Sequence, residues 1–472
     1  MRILLLLLMS PFILLSQTQI GNDIDGEAAG DKSGNVSFSS DGTIVAIGGP
    51  GNDAAGTDAG HVRVFEIISG VWTQIGNAIT GDANGDNFGA SVSLSSNGTI
   101  LAIGGPGSDA SGTNAGYIRV FENISGTWTQ VGDDISREVS EDRFGLFVSL
   151  SDDGTKLAIS GYTCCGLQHG IPSVGYTRIY ENISGDWIQI GTEINTGYYG
   201  ISDVVLSADG SVISIGSPGG GISWFSNYFP GSVSVYKNIS GVWTQLGSTF
   251  DWQYNGYDHI HGVSLSNNGA KIAIGGGYGL GPISIKIYEL INEEWVQQGE
   301  DIETGNYWFK ISLSEIGNII AIGGSVTQTF RNTNGNWTQL GADIVEETES
   351  DGLGINIQLS SDGKTLIIGV PQNDENGIDA GHARVYNLNA LLSINSPILV
   401  NPKLYPNPAT NQFTIDLPRS QDLQKVTVYN HLGQLIQSSQ KTIINTSNLA
   451  SGLYYVEIAT DQGKAIKKLI IK

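Results

Sequence analysis

The sequence predicts an all-β protein: a seven-bladed β-propeller closed by its own N-terminal strand, followed by a small C-terminal β-sandwich. Three observations carry that expectation. Turns of the Ser-Asp-Gly kind recur with their glycine at Gly42, Gly98, Gly154, Gly210, Gly269, Gly317 and Gly363, at intervals of 46 to 59 residues. A tryptophan followed two residues on by glutamine recurs at Trp72, Trp128, Trp187, Trp243, Trp295 and Trp337. Each unit also carries four short strand signals, and four strands per repeat of about 40–60 residues is the pattern of a propeller blade.

Composition agrees. The 472 residues include 65 Gly and 2 Met, and only 15% are charged, which favours tight turns over a helical bundle. A formal net charge of −23 excludes an ordinary nucleic-acid binder, because little here neutralises a phosphate backbone. It equally disfavours attachment to anionic lipid by charge.

Residues 1–16 combine Arg2, the apolar runs Ile3–Leu8 and Phe12–Leu15, and Ser16, the features of a secretory signal peptide. Pro11 interrupts the run, and no other segment approaches the ~20 apolar residues of a membrane span. No transmembrane segment is expected.

Residues 17–390 form the predicted propeller. In the second unit Ser91–Leu94 alternates polar and apolar, and Asn97-Gly98 supplies a two-residue turn with positive φ. Ile100–Ile103 is a continuous apolar run, as for a strand covered on both faces. Tyr117–Phe121, the Asn123–Gly126 turn and Trp128–Val131 complete the unit. The seventh unit ends at Gly381–Asn387 without a tryptophan strand, while Gln17-Thr18-Gln19-Ile20-Gly21-Asn22 aligns with Trp72-Thr73-Gln74-Ile75-Gly76-Asn77. Residues 17–24 therefore supply the outermost strand of the seventh blade and remove the open sheet edge.

Phe88-Gly89-x-Ser91-Val92, Ala102–Pro106 and Gly116–Phe121 resemble an FG-GAP repeat, the unit of the seven-bladed propeller of integrin α chains. The resemblance is good in units one, two and seven and weak in the middle units. It implies an adhesion or surface-recognition role. The calcium loops of that family do not carry over, because Ser40-Asp41-Gly42 and its equivalents are too short to wrap the ion. Asp82-x-Asn84-x-Asp86 has the alternation of a calcium loop without its distal glutamate, which leaves Ca²⁺ as a candidate cofactor and a solvated acidic turn as the alternative.

Residues 391–402, with Pro397 and Pro402, read as a linker. The tail beyond it carries eight basic and four acidic residues and five strand signals, a β-sandwich pattern. Within residues 403–472, Leu404-Tyr405-Pro406-Asn407-Pro408, Leu449-x-x-Gly452-Leu453-Tyr454 and the terminal Lys467-Lys468-Leu469-Ile470-Ile471-Lys472 resemble the type IX secretion sorting domain of Bacteroidota. That resemblance implies a partnership with the type IX machinery and a secreted or outer-surface location.

Candidate site residues fall on loops. Blades seven, one and two bring acids, and blades three to six bring aromatics, of which Trp224, Tyr228, Trp252, Tyr257 and Trp308 are the candidate ligand contacts for a glycan or protein. Packing of long loops onto one another is the competing explanation. Cys164 and Cys165 are adjacent, so they cannot staple distant blades. His259-x-His261 lacks a third metal ligand. Arg63, Arg119, Arg178 and Arg384 recur two residues after His61, Tyr117, Tyr176 and His382, and such repetition marks scaffold. No hydrolase elbow or His-Glu-x-x-His motif occurs. The expected function is extracellular recognition or adhesion through the loop face, with a glycoside hydrolase or lyase using loop carboxylates as the alternative.

Overall fold

The computed structural model describes residues 17–163, 174–198, 200–201, 203–221, 228–252, 258–278, 283–304, 310–345, 351–352, 354, 356–393, 402–417, 423–430, 434–460 and 463–472. Residues 1–16, expected from the sequence to be a signal peptide, and the Cys164-Cys165 pair lie outside them. The chain divides into two compact units at Leu391/Leu392.

The first unit holds seven antiparallel sheets of the same plan. In the second blade Ser91–Leu94, Ile100–Gly105, Tyr117–Ile124 and Thr127–Gln130 pair in order, and Ile135–Ser136 pairs beside Tyr117-Ile118. Strands such as Ile44–Gly49 and Ile100–Gly105 are almost wholly buried, as their unbroken apolar runs require. The outer strands are exposed apart from one half-buried tryptophan each.

The Ser-Asp-Gly turn works differently from the expected two-residue hairpin. Asp41 and Asn97 keep ordinary negative φ, and only Gly42 (71°) and Gly98 (70°) adopt left-handed backbone. Gly98 N–H donates to Ser95 C=O (2.9 Å), and the Ser95 hydroxyl accepts from Ile100 N–H (2.9 Å), giving a four-residue loop. Asn97 Oδ1 accepts from Ser95 Oγ, Thr99 N and Thr99 Oγ1, so one side chain replaces the backbone partners that a tighter turn would supply.

Those turns carry the closure of the ring. Ser40 N–H donates to Ser96 C=O, Ser96 to Asp152, Asp152 to Ala208, Ala208 to Asn267, Asn267 to Glu315, Glu315 to Ser361, and Ser361 back to Ser40, at 2.8–3.1 Å. The cycle returns to its origin after seven steps, so the number of blades is seven. One layer further in, Ser37, Ser93, Ser149, Ser264 and Ser312 each accept from the inner strand of the next blade, as when Leu94 N–H meets Ser37 Oγ at 2.9 Å. Gln358 does the same toward Phe38 (2.8 Å).

At the rim each tryptophan reaches back one blade. Trp72 Nε1 donates to Ile20 C=O (2.9 Å), and the other five make the same bond at 2.9–3.3 Å. Gln17 occupies the seventh tryptophan position, and its amide donates to Leu340 C=O (3.4 Å) and Ala342 C=O (2.7 Å). Thr18 pairs with Asn387, Gln19 with Tyr386, Ile24 with Ala383 and Asp25 with His382, so the N-terminal strand completes the seventh sheet. Ile24 is buried in the cluster shared by blades seven and one.

The second unit is a sandwich. Lys403–Tyr405, Gln412–Asp416 and Ile443–Asn445 form one sheet; Leu435–Ser439, Leu423–Asn430, Gly452–Thr460 and Gly463–Ile471 form the other. Phe413, Val426, Val428, Val456, Ile458 and Leu469 fill the space between them.

Deleting residues 17–25 exposes a sheet edge and removes Ile20 and Ile24 from the seam, each worth about 1.5–3 kcal/mol if fully buried. The melting temperature of the truncated chain, followed by circular dichroism, is expected to fall by at least about 5 °C. An unchanged value would mean that the seventh sheet does not depend on this strand.

Candidate functional site

The repeated strand arginines of the propeller belong to its scaffold. Arg119 bonds Asp82 and Asp134, Arg178 bonds Glu193, and Arg384 bonds Asp23. Many loop acids cap turns. Asp31 accepts the amides of Glu27 (2.9 Å) and Ala28 (3.0 Å), while Asp53, Asp109 and Asp374 each accept an amide five residues on at 2.8 Å. The acidity of blades seven, one and two is thus largely turn chemistry repeated.

The calcium candidates are engaged by protein groups. Asp82 takes an Arg119 guanidinium N–H, which holds its carboxyl below the usual range. Asp86 is buried and accepts the amides of Asp82 and Ala83 and the Tyr117 hydroxyl. Asn84 lies beside Gly56. Elsewhere, Asp23, Asp25, Glu375 and His382 bring ligand atoms within 4.8 Å of one another at the ring closure, with Asp23 bonded by both Nε and Nη2 of Arg384.

Of the aromatic candidates, Trp252 is half-buried against the cluster of blades four and five, with Lys286 Nζ 4.8 Å from its ring centre. Its ring is committed to an interface between blades. Tyr228 is placed as backbone in the strand Tyr228–Phe229, paired with Gly220-Gly221. Trp224, Tyr257 and Trp308 lie outside the described residues. His259 and His261 face each other with ring centres 6.2 Å apart, and burial, then the His259 charge, pulls the His261 pKa down to about 4.

The geometry singles out the axial channel, a cavity of about 310 Å³ walled by the inner strands. Its hairpin end is the seven-membered backbone ring. Its loop-face end is ringed by equivalent residues of the seven inner segments, Asn35, Ser91, Phe147, Asp203, Gly262, Lys310 and Asn356, each level with the second-strand glycine or serine of its own blade. Six residue types occupy seven equivalent positions, whereas the next layer is serine in five.

Lys310 Nζ reaches past Gly262, which has no side chain to obstruct it, to Asp203 Oδ1 at 2.8 Å. Asp203 is nearly buried and also accepts from its neighbour Val204 N–H (3.0 Å). The ammonium lies 5.6 Å from the Phe147 ring centre, a cation–π distance. Across the mouth Asn356 donates to Asn35 Oδ1 (2.8 Å), and Asn35 and Ser91 donate to Gly89 and Gly145 C=O. The mouth therefore presents one ion pair, one ring and two amides, a chemistry suited to a polar ligand with an apolar face. Strand patterning alone does not reveal it; aligning the seven units on their Leu-Ser pair, Phe38-Ser39 in the first, would have shown this column to be the variable one.

In the second unit the sorting-motif residues hold the last strand. Asn407 Nδ2 donates to Lys468 C=O (2.8 Å) and Asn407 Oδ1 accepts from Ile470 N–H (3.0 Å). Both peptide bonds into Pro406 and Pro408 are cis. Gly452 opens the strand in which Tyr454 is buried, its hydroxyl bonded to Ala450 C=O. Lys468 is exposed and Lys467 half-buried.

Residues 403–472 match the secretion system C-terminal sorting domain, which marks the chain for secretion or display at the outer surface. No helix among the described residues is long and apolar enough to cross a membrane. No curated protein matches the sequence. Among solved structures the chain is similar to the periplasmic gluconolactonase of Pseudomonas aeruginosa, at 15% identity over 66% of this chain and 85% of that one, with a TM-score of 0.48. It is also similar to a chain of a mitotic checkpoint complex, at 13% identity over 79% and 98%, with a TM-score of 0.49.

Two outcomes follow from the channel. Lys310→Met leaves the Asp203 carboxylate without its cation and is expected to cost about 2 kcal/mol, below the range for fully buried pairs because Lys310 is partly exposed; Asp203→Asn with Lys310→Met should recover most of it in urea melts. At the other end, burial, then Glu315 and Asp153, raise the Asp152 pKa above its ordinary 3.8. The folded state thus favours the protonated carboxyl, and that stabilisation, complete below 3.8, is lost as pH rises through the folded value. Asp152→Asn is expected to raise the melting temperature at pH 7, with the gain shrinking toward pH 3.

Proposed function

We propose that this secreted or surface-displayed propeller is a recognition module that binds a glycan or a protein at the loop-face mouth of its axial channel. The observation that carries this reading is the variable ring Asn35, Ser91, Phe147, Asp203, Gly262, Lys310 and Asn356, set on a channel whose other layers repeat from blade to blade. A rigid repeated wheel with one variable rim needs no further chemistry to recognise a partner. The aromatic residues of the loops of blades four to six, Trp224, Tyr257 and Trp308 among them, extend the same surface in this reading. Commitment of the acids to caps and ion pairs favours binding over hydrolysis by paired carboxylates.

Glycan and matrix-protein arrays probed with the full chain, with and without calcium, test it. A ligand should be retained by the parent and bound at least about tenfold more weakly by the Asp203→Asn/Lys310→Met variant. Ligands insensitive to that change, or to Trp308→Ala, would place recognition elsewhere.

A further inference from the structure

The sandwich of the second unit carries more apolar residues than its core uses. A strand with one face in a core and the other in water alternates apolar and polar residues. Gly452–Thr460 instead places Leu453, Tyr454, Tyr455 and Val456 in succession, and Gly463–Ile471 ends on Leu469-Ile470-Ile471. Tyr454, Val456, Leu469 and Ile471 belong to the core. Leu453, Tyr455 and Ile470 therefore lie on the outer face, because successive strand residues point to opposite sides of a sheet.

Strand register gathers them into one patch. Tyr455 pairs with Tyr429 on one side and Lys468 on the other, and Leu453 pairs with Ile470. Tyr429 pairs onward with Leu435 of the edge strand. Leu435 is 62% exposed, Ile470 47% and Leu453 37%, and both tyrosines are half-buried. Lys468 and Lys425, exposed on the same face, stand at its margins. The opposite sheet differs: its outer face has Tyr405 and Ile443 in a single row, separated by Thr414.

A tyrosine-centred apolar patch with lysines at its margin has the composition of a protein interface. Its occupant follows from the unit that carries it. Residues 403–472 match a sorting domain, which implies the secretion machinery as a partner of this unit. We propose that the face formed by Tyr429, Leu435, Leu453, Tyr455 and Ile470 is the surface by which that machinery holds the folded sorting domain. The contacting surface of the partner is apolar and edged by carboxylates that meet Lys468 and Lys425. The eight basic and four acidic residues of this tail suit such an acidic partner. The face is separate from the Asn407 contacts, which fasten the last strand within the unit. It shares no residue with the channel mouth, so the two readings stand or fall separately.

Export of the full chain from a Bacteroidota host that secretes the parent by its type IX system tests the proposal. The readout is the ratio of secreted or surface-displayed protein to protein retained in the periplasm. Leu453→Thr with Tyr455→Thr keeps strand propensity and leaves the core untouched, so it should melt within about 3 °C of the parent. Its exported ratio should fall at least about tenfold. Tyr405→Thr with Ile443→Thr, on the opposite sheet, should be exported as the parent is. Should the first pair melt lower, Leu435→Asp with Ile470→Thr serves in its place with the same expected loss. Undiminished export of folded variants of this face, or an equal loss from the opposite sheet, would overturn it. So would light scattering that shows a dimeric parent and monomeric variants with export unchanged, since the face would then join two copies of the chain.

Discussion

Circular closure is the constraint on which this molecule depends. A string of seven four-stranded units has two raw edges, and each inner strand needs a neighbour on both sides. The backbone cycle that runs from Ser40 through Ser96, Asp152, Ala208, Asn267, Glu315 and Ser361 back to Ser40 is satisfied only by a complete ring. Because each link is an amide of one hairpin on a carbonyl of the next, the hairpins must be alike in length and conformation. The left-handed glycines and the Asx side chains of the Ser-Asp-Gly turns secure that likeness.

The rim has its own version of the same demand. Six indoles and one glutamine amide tie each outer strand to the blade before it, and the glutamine stands where the ring is sealed by a segment from the other end of the chain. Arg384 on Asp23 and the pairing of Ile24 with Ala383 fix that segment at its far end. Among the described residues the seam is held by hydrogen bonds, the Arg384–Asp23 ion pair and buried isoleucine.

Repetition also separates scaffold from site. Positions that carry the same chemistry in most blades, such as the serine layer of the channel, the capping aspartates and the strand arginines, hold the wheel together. Departures from the pattern are concentrated at the channel mouth and at Ala78. At the mouth the departure is diversity, with Asp203, Lys310 and Phe147 replacing small polar residues. At Ala78 the acceptor of the other blades is missing, and Arg63 turns instead to the Asp25 carbonyl and Glu27. The sandwich follows a different logic, in which Asn407 and the core around Phe413 and Val456 fasten the terminal strand bearing Lys467 and Lys468.

Local chemistry was enough to read the blades from sequence, because strand alternation and the turn glycines act between near neighbours in the chain and the tryptophan motif recurs in six of the units. The alignment of Gln17–Asn22 with Trp72–Asn77 extended that reading to the closure, since the same outer-strand motif meets the same neighbour wherever it sits in the chain. The hairpin type was misread: Asn-Gly also fits a four-residue loop once the Ser95 hydroxyl and Asn97 carbonyl take over the backbone partners. Trp252 looked like a ligand contact because a tryptophan in a loop-rich segment gives no sign of which face it will turn inward. The Asp203–Lys310 pair, more than a hundred residues apart in sequence, was decided only when the ring brought equivalent positions to one level, since ion pairing and burial depend on distances that no stretch of chain contains.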